Sequence, residues 1–258
     1  MEVRHAQLYD YPSYYDLVFG SDWKAEFDFL SGCFERFGGQ VDRVFEPACG
    51  TGRLLFRLAK VGYEVHGIDL NPKAVVYCND RMLRHDLPPA AVVADMTEYQ
   101  LTPQADAAFN MINSFRHLVT ARQADSHFKA VAQSLRKGGL YILGLHLTPT
   151  DGRPTEGESW SARRGHLGVT TRLLPIDRDL ENRSERFRME YDIYTPKRSF
   201  RIEDEIEFRT YTRDQMQSQI SDFGGFEMME TYDFRYDLAH PVQLNDETED
   251  AVYVLRRR

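Results

Sequence analysis

Cysteine is scarce: Cys33, Cys49 and Cys78 are the three present in 258 residues, an odd and unpaired set that offers neither a disulfide framework nor a zinc ribbon. A reducing, cytoplasmic setting is the expectation. Long apolar runs are missing too, since no stretch approaches the roughly 18 apolar residues that span a bilayer. The start, MEVRHAQLYDYPSYYD, lacks the basic and then apolar profile of a secretion signal. Basic charge is in deficit: 32 Lys and Arg against 40 Asp and Glu leave a net charge of −8, the wrong sign for general attachment to a phosphate backbone. Neither nucleic acid nor membrane is therefore an expected partner. Internal repeats and Pro- or Ser-rich linkers are absent as well. What is plentiful is core material, with 42% hydrophobic and 12% aromatic residues, which excludes the disordered and low-complexity classes. The length suits one large domain, or a domain carrying an insertion.

Periodicity supplies the organisation. From Ser21, read as an N-cap, Trp23, Phe27, Leu30 and Phe34 recur at helical spacing until Gly38 and Gly39. VDRVFEPACGTG reads as a strand entering a glycine turn, RLLFRLAK as a helix ending near Gly62, and YEVHGIDL as a strand followed by Asn71 and Pro72 at a helix start. AAVVADM and DAAFNMIN follow as strands, then a helix through HFKAVAQSLRK to Gly138 and Gly139, then the strand LYILGLHL. Such alternation, with nearly continuous apolar strands, predicts an α/β fold: a doubly wound, mostly parallel sheet with helices on both faces.

After Leu147 the character changes. Pro, Gly and Arg crowd residues 148–168, and then Phe187, Met189, Tyr191 and Ile193 share one face, as do Phe200, Ile202, Ile206 and Phe208 across a turn at Thr195 to Arg198. Two-residue alternation of this kind predicts an antiparallel hairpin with one apolar and one charged face. Thr212 and Gln215 then form a capping box for a helix to Gly224 and Gly225, and strands around Phe226 to Phe234 and AVYVLRRR close the chain. The division expected is residues 1–147 and 212–258 as one α/β domain of seven strands, with 148–211 as a β insertion serving as lid or acceptor platform.

The chemistry centres on Glu46-Pro47-Ala48-Cys49-Gly50-Thr51-Gly52 at a strand-to-helix junction, the edge at which open parallel sheets bind ligands. A phosphate loop needs Gly-Lys-Ser/Thr there, and Arg53 and Leu54 follow Gly52 instead. A dinucleotide fingerprint needs a small residue where Leu55 stands, and Glu46 would repel a pyrophosphate. Asp69 ends the second strand and suits a ribose diol, and Asp95 ends the third and suits an exocyclic amine. Three acidic groups at consecutive strand ends favour a ligand with ribose, amine and cationic centres and no phosphate. A salt bridge for Glu46, and capping roles for Asp69 and Asp95, are the plainer alternatives.

With EPACGTGR, GIDLNP and VVADM in this order and spacing, the sequence resembles the class I S-adenosylmethionine-dependent methyltransferases, small-molecule type with a β insertion before the last helix. The resemblance covers residues 10–147 and the terminal strands, and implies a Rossmann-like methyltransferase fold with S-adenosylmethionine as cofactor, S-adenosylhomocysteine as product and no metal. By it, Glu46, Ala48, Gly50 and Gly52 hold the methionine end, Asp69 the ribose, Leu70 and Met96 the adenine faces and Asp95 the adenine amine; Met111 joins the cofactor set. Ala48 departs from the family's usual glycine. YYDLVF resembles the family's N-terminal cofactor cover and brings Tyr15 to the cofactor, while packing against the core is the plainer use of Tyr9, Tyr11, Tyr14 and Tyr15.

Methyl transfer from a sulfonium gains most from positioning, worth effective molarities of about 10⁵ to 10⁸ M, and a base matters where the acceptor must first lose a proton. NMINSFRHL resembles the corresponding segment of small-molecule N-methyltransferases, which makes His117 the first candidate base, with His146 as competitor, and places Asn113 on the acceptor side. Trp160, Arg163, Arg164 and Arg172 are candidate acceptor residues against the alternative of a solvated basic face, with Trp160 and Arg163 foremost. The acid-rich stretch Glu203 to Glu207 reads as a strand's outer face, as partners for the arginines, or as a homodimer contact. The expected activity is transfer to a small molecule at nitrogen rather than oxygen. The alternatives are an RNA or protein methyltransferase, a cofactor-binding module without transfer, and an NAD-dependent oxidoreductase.

Overall fold

Alternate residues of the central strands carry apolar side chains to opposite faces, and that alternation builds two cores around one sheet. The computed structural model describes residues 1–151 and 157–258. Residues 152–156, part of the Pro-, Gly- and Arg-rich stretch 148–168 that opens the expected insertion, lie outside the described residues. Strands β1 (Glu2–His5), β2 (Arg43–Pro47), β3 (Glu64–Asp69), β4 (Ala91–Val93), β5 (Ala105–Asn110) and β6 (Leu135–His146) are followed by β7 (Glu158–Arg164), β8 (Leu167–Asp179), β9 (Ser184–Tyr194), β10 (Ser199–Arg209), β11 (Phe226–Tyr232) and β12 (Asp250–Arg257). The helices are α1 (Pro12–Phe19), α2 (Lys24–Phe37), α3 (Leu55–Lys60), α4 (Pro72–Leu83), α5 (Ala121–Ser134) and α6 (Arg213–Phe223).

The main sheet has seven strands in the order β11-β12-β6-β5-β2-β3-β4. It is parallel except for β12, which runs antiparallel to both β6 and β11. Phe45, Ala108, Tyr141 and Leu143 join one core, and Val44, Ala107, Phe109, Leu140 and Ile142 join the other. The chain order reverses beside β2, because β3 lies on one side of it and β5 on the other. Ligands bind at such a switch point.

The second sheet runs β1-β10-β9-β8-β7, antiparallel except where β1 pairs parallel to β10. Its inner face buries the expected set of Phe187, Met189, Tyr191, Ile193, Phe200, Ile202, Ile206 and Phe208, joined by Leu8, Leu17 and Val18 of the N-terminal segment. The sheet is larger than the hairpin expected from sequence. Strand β1, from residues assigned to the main domain, pairs Glu2 to His5 with Phe200 to Glu203. Arg172 and Arg201 meet Glu190 and Asp192 on its outer face. Of the acid-rich stretch, Glu203 and Glu205 lie near Arg201 and Arg188, while Asp204 turns inward and accepts a hydrogen bond from the Leu8 amide at 3.0 Å.

Two expected boundaries move. Ser21 does not cap α2; its hydroxyl donates to the Leu17 carbonyl at 2.5 Å and closes α1, and α2 begins at Lys24. Helix α5 stops at Ser134 rather than at the glycine pair, because the Ser134 hydroxyl donates back to Ala130 and accepts from the Leu101 amide, and Leu135 already pairs with Ala105.

Candidate functional site

The loop after β2 makes a cradle. Ala48, Gly50 and Gly52 all adopt positive φ, at 56°, 52° and 66°, the left-handed region that glycine enters freely and alanine enters under strain. A Cβ on Gly52 would stand 2.3 Å from the Cys78 sulfur, so only glycine lets the loop lie against α4. The Asp69 carboxylate fixes the loop: Oδ2 accepts from the Gly50 amide and Oδ1 from the Asn71 amide, each at 2.8 Å. Burial raises the Asp69 carboxyl above its usual range, opposed by these two amide hydrogen bonds. Asn71 caps α4 through Lys73 and Ala74.

Above the cradle lies a cavity of about 410 Å³. Its walls bring together Tyr9 and Tyr15 from the N-terminal segment, Ala48, Gly50 and Thr51 from the loop, Asp69, Leu70 and Asn71 after β3, Met96 after β4, and Ile112, Ser114 and His117 after β5. Leu70, 66% exposed, presents its apolar side chain at the cavity wall. Beneath the loop, Glu46 is buried and its Oε2 has no hydrogen-bond partner among the described residues. Burial holds the Glu46 carboxyl well above its ordinary range, against the pull of the Arg53 guanidinium. Arg53 is itself committed, forming a bidentate buried pair with Glu26.

Two smaller cavities continue from the first. One of about 160 Å³ shares Tyr9, Tyr15, Ile112 and His117 with it, and adds Asn113, His146, Trp160 and Phe208. The next, about 170 Å³, shares Asn113, His146, Glu158, Leu173 and Phe208 and reaches Arg116, Arg178 and Glu185. The pair lies between the β5 and β6 edge and the inner face of the second sheet. The backbone is strained where the three cavities meet, because Ile112 and Asn113 both have positive φ, at 48° and 65°. For a β-branched residue this is an outlier of the kind that clusters at functional sites.

His117 Nε2 stands 2.9 Å from the Tyr9 hydroxyl, and its ring packs against Phe208. Burial, with Arg116 adding repulsion, pushes the imidazole down to about 4, so it is neutral near pH 7. His146 differs. Its Nδ1 lies 2.6 Å from Asp250 Oδ1, its amide donates to Asn113 Oδ1 at 2.7 Å, and its ring packs on Phe234.

Not every expected residue reaches a cavity wall. Asp95 caps its own turn, its Oδ1 accepting from the Thr97 amide and hydroxyl at 2.7 Å each. Met111 is buried in the core with its end against Gly144. Trp160 faces inward on Phe19, whereas Arg163, an odd number of positions along the same strand, points to the other face and donates to the Gly165 carbonyl. Arg164 and Arg172 are engaged by Asp16 and Asp192. Sequence reasoning missed Tyr9, Ile112, Glu158 and Asp250 as wall or dyad residues, since no local pattern brings β12, β7 and the N-terminus together. Among the described residues, no group of three or more His, Cys, Asp or Glu is arranged to hold a metal, and no helix is long and apolar enough to cross a membrane.

Residues 44–139 match the family model described as a methyltransferase domain. The chain is 30% identical over 105 residues to the putative methyltransferase YqeM of Bacillus subtilis strain 168, an alignment covering 40% of this chain and 42% of that protein. In the curated relatives that it matches, the alignments span less than half of their length, 42% and 49%. Among solved structures, an S-adenosylmethionine-dependent methyltransferase from Clostridium acetobutylicum ATCC 824 superposes with a TM-score of 0.78 at 17% identity, over 94% of this chain and 96% of that one. The sugar N-methyltransferase KedS8 from Streptoalloteichus sp. ATCC 53650 does so with a TM-score of 0.72 at 18% identity, over 99% and 95%. The doubly wound sheet with its antiparallel companion is the Rossmann-like fold of these methyltransferases.

Proposed function

From a methyltransferase domain over residues 44–139 on a Rossmann-like sheet, we propose that the chain is an S-adenosylmethionine-dependent methyltransferase acting on a small molecule, at nitrogen rather than oxygen. One observation carries the reading: a buried carboxyl oxygen of Glu46 without a partner lies under a cradle whose far end is Asp69. The cofactor bears an ammonium, a ribose diol and a sulfonium whose methyl group is open to attack. Those groups fit these residues. Ala48, Gly50 and Gly52, over Glu46, take the methionine end; the second lone pairs of Asp69 take the ribose hydroxyls; and Leu70 and Met96 flank the adenine, while Asp95, which caps its own turn off the cavity wall, has no part in this reading. Tyr15 closes the cavity from the N-terminal side.

The acceptor then occupies the two smaller cavities. Their volumes of about 160 and 170 Å³ and their enclosure between two sheets suit a compact molecule, and they leave little room for a polymer. Asn113 and Trp160 stand on this side, and the neutral His117, braced by Tyr9, meets the acceptor where its cavity joins the larger one. The sugar N-methyltransferase among the structural neighbours supports a nitrogen acceptor of sugar size. Arg163 faces away and has no part in this reading.

Calorimetric titration with S-adenosylmethionine, S-adenosylhomocysteine and NAD tests it. Micromolar binding of the first two and none of the third is expected, followed by methyl transfer to small amines in a panel of amines and phenols. Binding of NAD alone would return the glycine turn to an oxidoreductase. Cofactor binding with no transfer across the panel would make the chain a binding module.

A further inference from the structure

The chamber made by the two smaller cavities holds a histidine and a carboxylate that the reading above leaves unused. His146 is held at three points: its Nδ1 lies 2.6 Å from Asp250 Oδ1 at the start of β12, its backbone amide donates to Asn113 Oδ1, and Phe234 packs on the ring. That leaves Nε2 as the nitrogen without a partner among the described residues, on a residue that lines both small cavities. A carboxylate on Nδ1–H selects the tautomer whose Nε2 is a bare acceptor. Glu158 of β7 lines both cavities as well, so the chamber presents negative charge to whatever enters it.

We propose that His146 and Asp250 are the proton-accepting pair for an acceptor that arrives as an alkylammonium ion; this rests on the methyltransferase reading. An ammonium nitrogen has no lone pair with which to attack. One N–H bond breaks, its electron pair stays on the acceptor nitrogen, and the proton passes to His146 Nε2. Asp250 stabilises the imidazolium from the Nδ1 side, and the proton leaves to water afterwards. The lone pair so exposed is the nucleophile. His117, by contrast, has a tyrosine hydroxyl rather than a carboxylate as its partner, which orients a ring and does little to stabilise a positive charge on it.

The charged groups that face His146 also bear on its behaviour. Asp250 and Glu249 approach from the edge of β12 and Glu158 from β7. At the far wall Arg116 and Arg178 share the one carboxylate of Glu185, which leaves a single positive charge there against the carboxylates of Asp250 and Glu158.

The test uses the full chain, with cyclohexylamine as the amine probe and phenol as its neutral control. Nitrogen NMR of histidine-labelled protein is expected to find His146 with its hydrogen on Nδ1 and Nε2 bare, its signals moving with cyclohexylamine and not with phenol. Asp250→Asn is expected to abolish that tautomer preference. A His146 protonated on Nε2, or one that ignores the amine while His117 responds, overturns the proposal. With S-adenosylmethionine bound, His146→Gln is expected to lower kcat for cyclohexylamine about 10²- to 10⁴-fold and to remove the acid limb of the pH–rate profile. Calorimetric affinity for the cofactor stays within about twofold. An acid limb that survives His146→Gln and vanishes in His117→Gln overturns the proposal, and so does amine response at His146 with no transfer to cyclohexylamine. The NMR arm needs no cofactor and the calorimetric arm no amine. Failure to bind S-adenosylmethionine therefore sinks the methyltransferase reading by itself, and a wrong tautomer or a silent His146 sinks this inference alone.

Discussion

Asp69 illustrates how much a single side chain carries at this site. Its two oxygens already hold the amides of Gly50 and Asn71, so the loop after β2 and the cap of α4 share one anchor. Asp69→Ala removes both anchors and the hydrogen bonds expected to the ribose. Hydrogen bonds to a charged group are worth about 1.5–3 kcal/mol each, so cofactor affinity measured by calorimetry is expected to fall at least about tenfold; unchanged affinity would refute the assignment. Ala48 makes the opposite point. It occupies a left-handed backbone at φ 56°, where strain costs on the order of 1–3 kcal/mol and glycine offsets part of that by its greater freedom in the unfolded chain. Ala48→Gly is expected to raise the stability read from urea unfolding by about 1 kcal/mol, and a loss of stability would show the strain to be absent. The buried His127 gives a pH dependence with a definite sign. It bridges the Met96 carbonyl and the Tyr141 hydroxyl, and burial pushes it down to about 4, against about 6.5 in an unfolded chain. Between those values the unfolded state binds the extra proton, so stability is unaffected above about pH 6.5 and falls as pH drops toward 4, by on the order of 3 kcal/mol. Urea midpoints measured from pH 7 to 4.5 should fall, and His127→Gln should flatten that fall; equal slopes in the two proteins would refute the account.

Asp16 of α1 links three elements to the loop after β2. It is 2% exposed, it pairs with Arg81 of α4 and with Arg164 of β7, and it accepts hydrogen bonds from the Thr51 and Tyr77 hydroxyls at 3.2 Å each. Removing one member of a buried charge cluster costs about 3–5 kcal/mol, because the partner is left uncompensated. Asp16→Ala is expected to destabilise by that amount and, since Thr51 lines the main cavity, to weaken cofactor binding; Arg164→Ala, removing the more exposed partner, should do little to either. Equal effects from both variants would mean that the cluster is not centred on Asp16. None of these long-range pairings is written in a local pattern. The legible elements are those whose periodicity is set by one buried face: the apolar alternation of Phe187 to Phe208, the Asn71-Pro72 helix start and the Thr212 to Gln215 capping box all recur in the structure. The strand Glu158 to Arg164 was not legible, because its burial is mostly intermediate or exposed and Trp160 and Ala162 alone pack on the core. The cradle at Glu46 to Gly52 and Asp69 could be read because glycines and acids at strand ends are local signals. Tyr9 against His117, and Asp250 against His146, are 108 and 104 residues apart in the chain, and only the closing of the sheets brings them together.

At the scale of the molecule, the first twenty residues bridge the two sheets. Strand β1 extends the second sheet through β10, Leu8, Leu17 and Val18 fill its inner core, and Tyr9 and Tyr15 wall the main cavity over the loop of the first sheet. The segment is therefore both a structural strap and a cover. Leu8 and Leu17 are almost fully buried, and withdrawing such side chains forfeits about 1.5–3 kcal/mol each, so a chain lacking residues 1–20 loses much of what seals the second sheet. Its loss would also open the cavity above the loop after β2 to water along the side where Tyr9 and Tyr15 stand. Deletion of the segment is expected to abolish measurable cofactor binding and to lower the thermal midpoint. The double variant Tyr9→Ala, Tyr15→Ala separates the two roles. It keeps β1 and the buried leucines, so its thermal midpoint should stay nearer that of the intact chain while cofactor affinity still falls. Full affinity in the double variant would confine the segment to bracing, and the cavity would then have to be sealed by the loops after β3 and β5 alone.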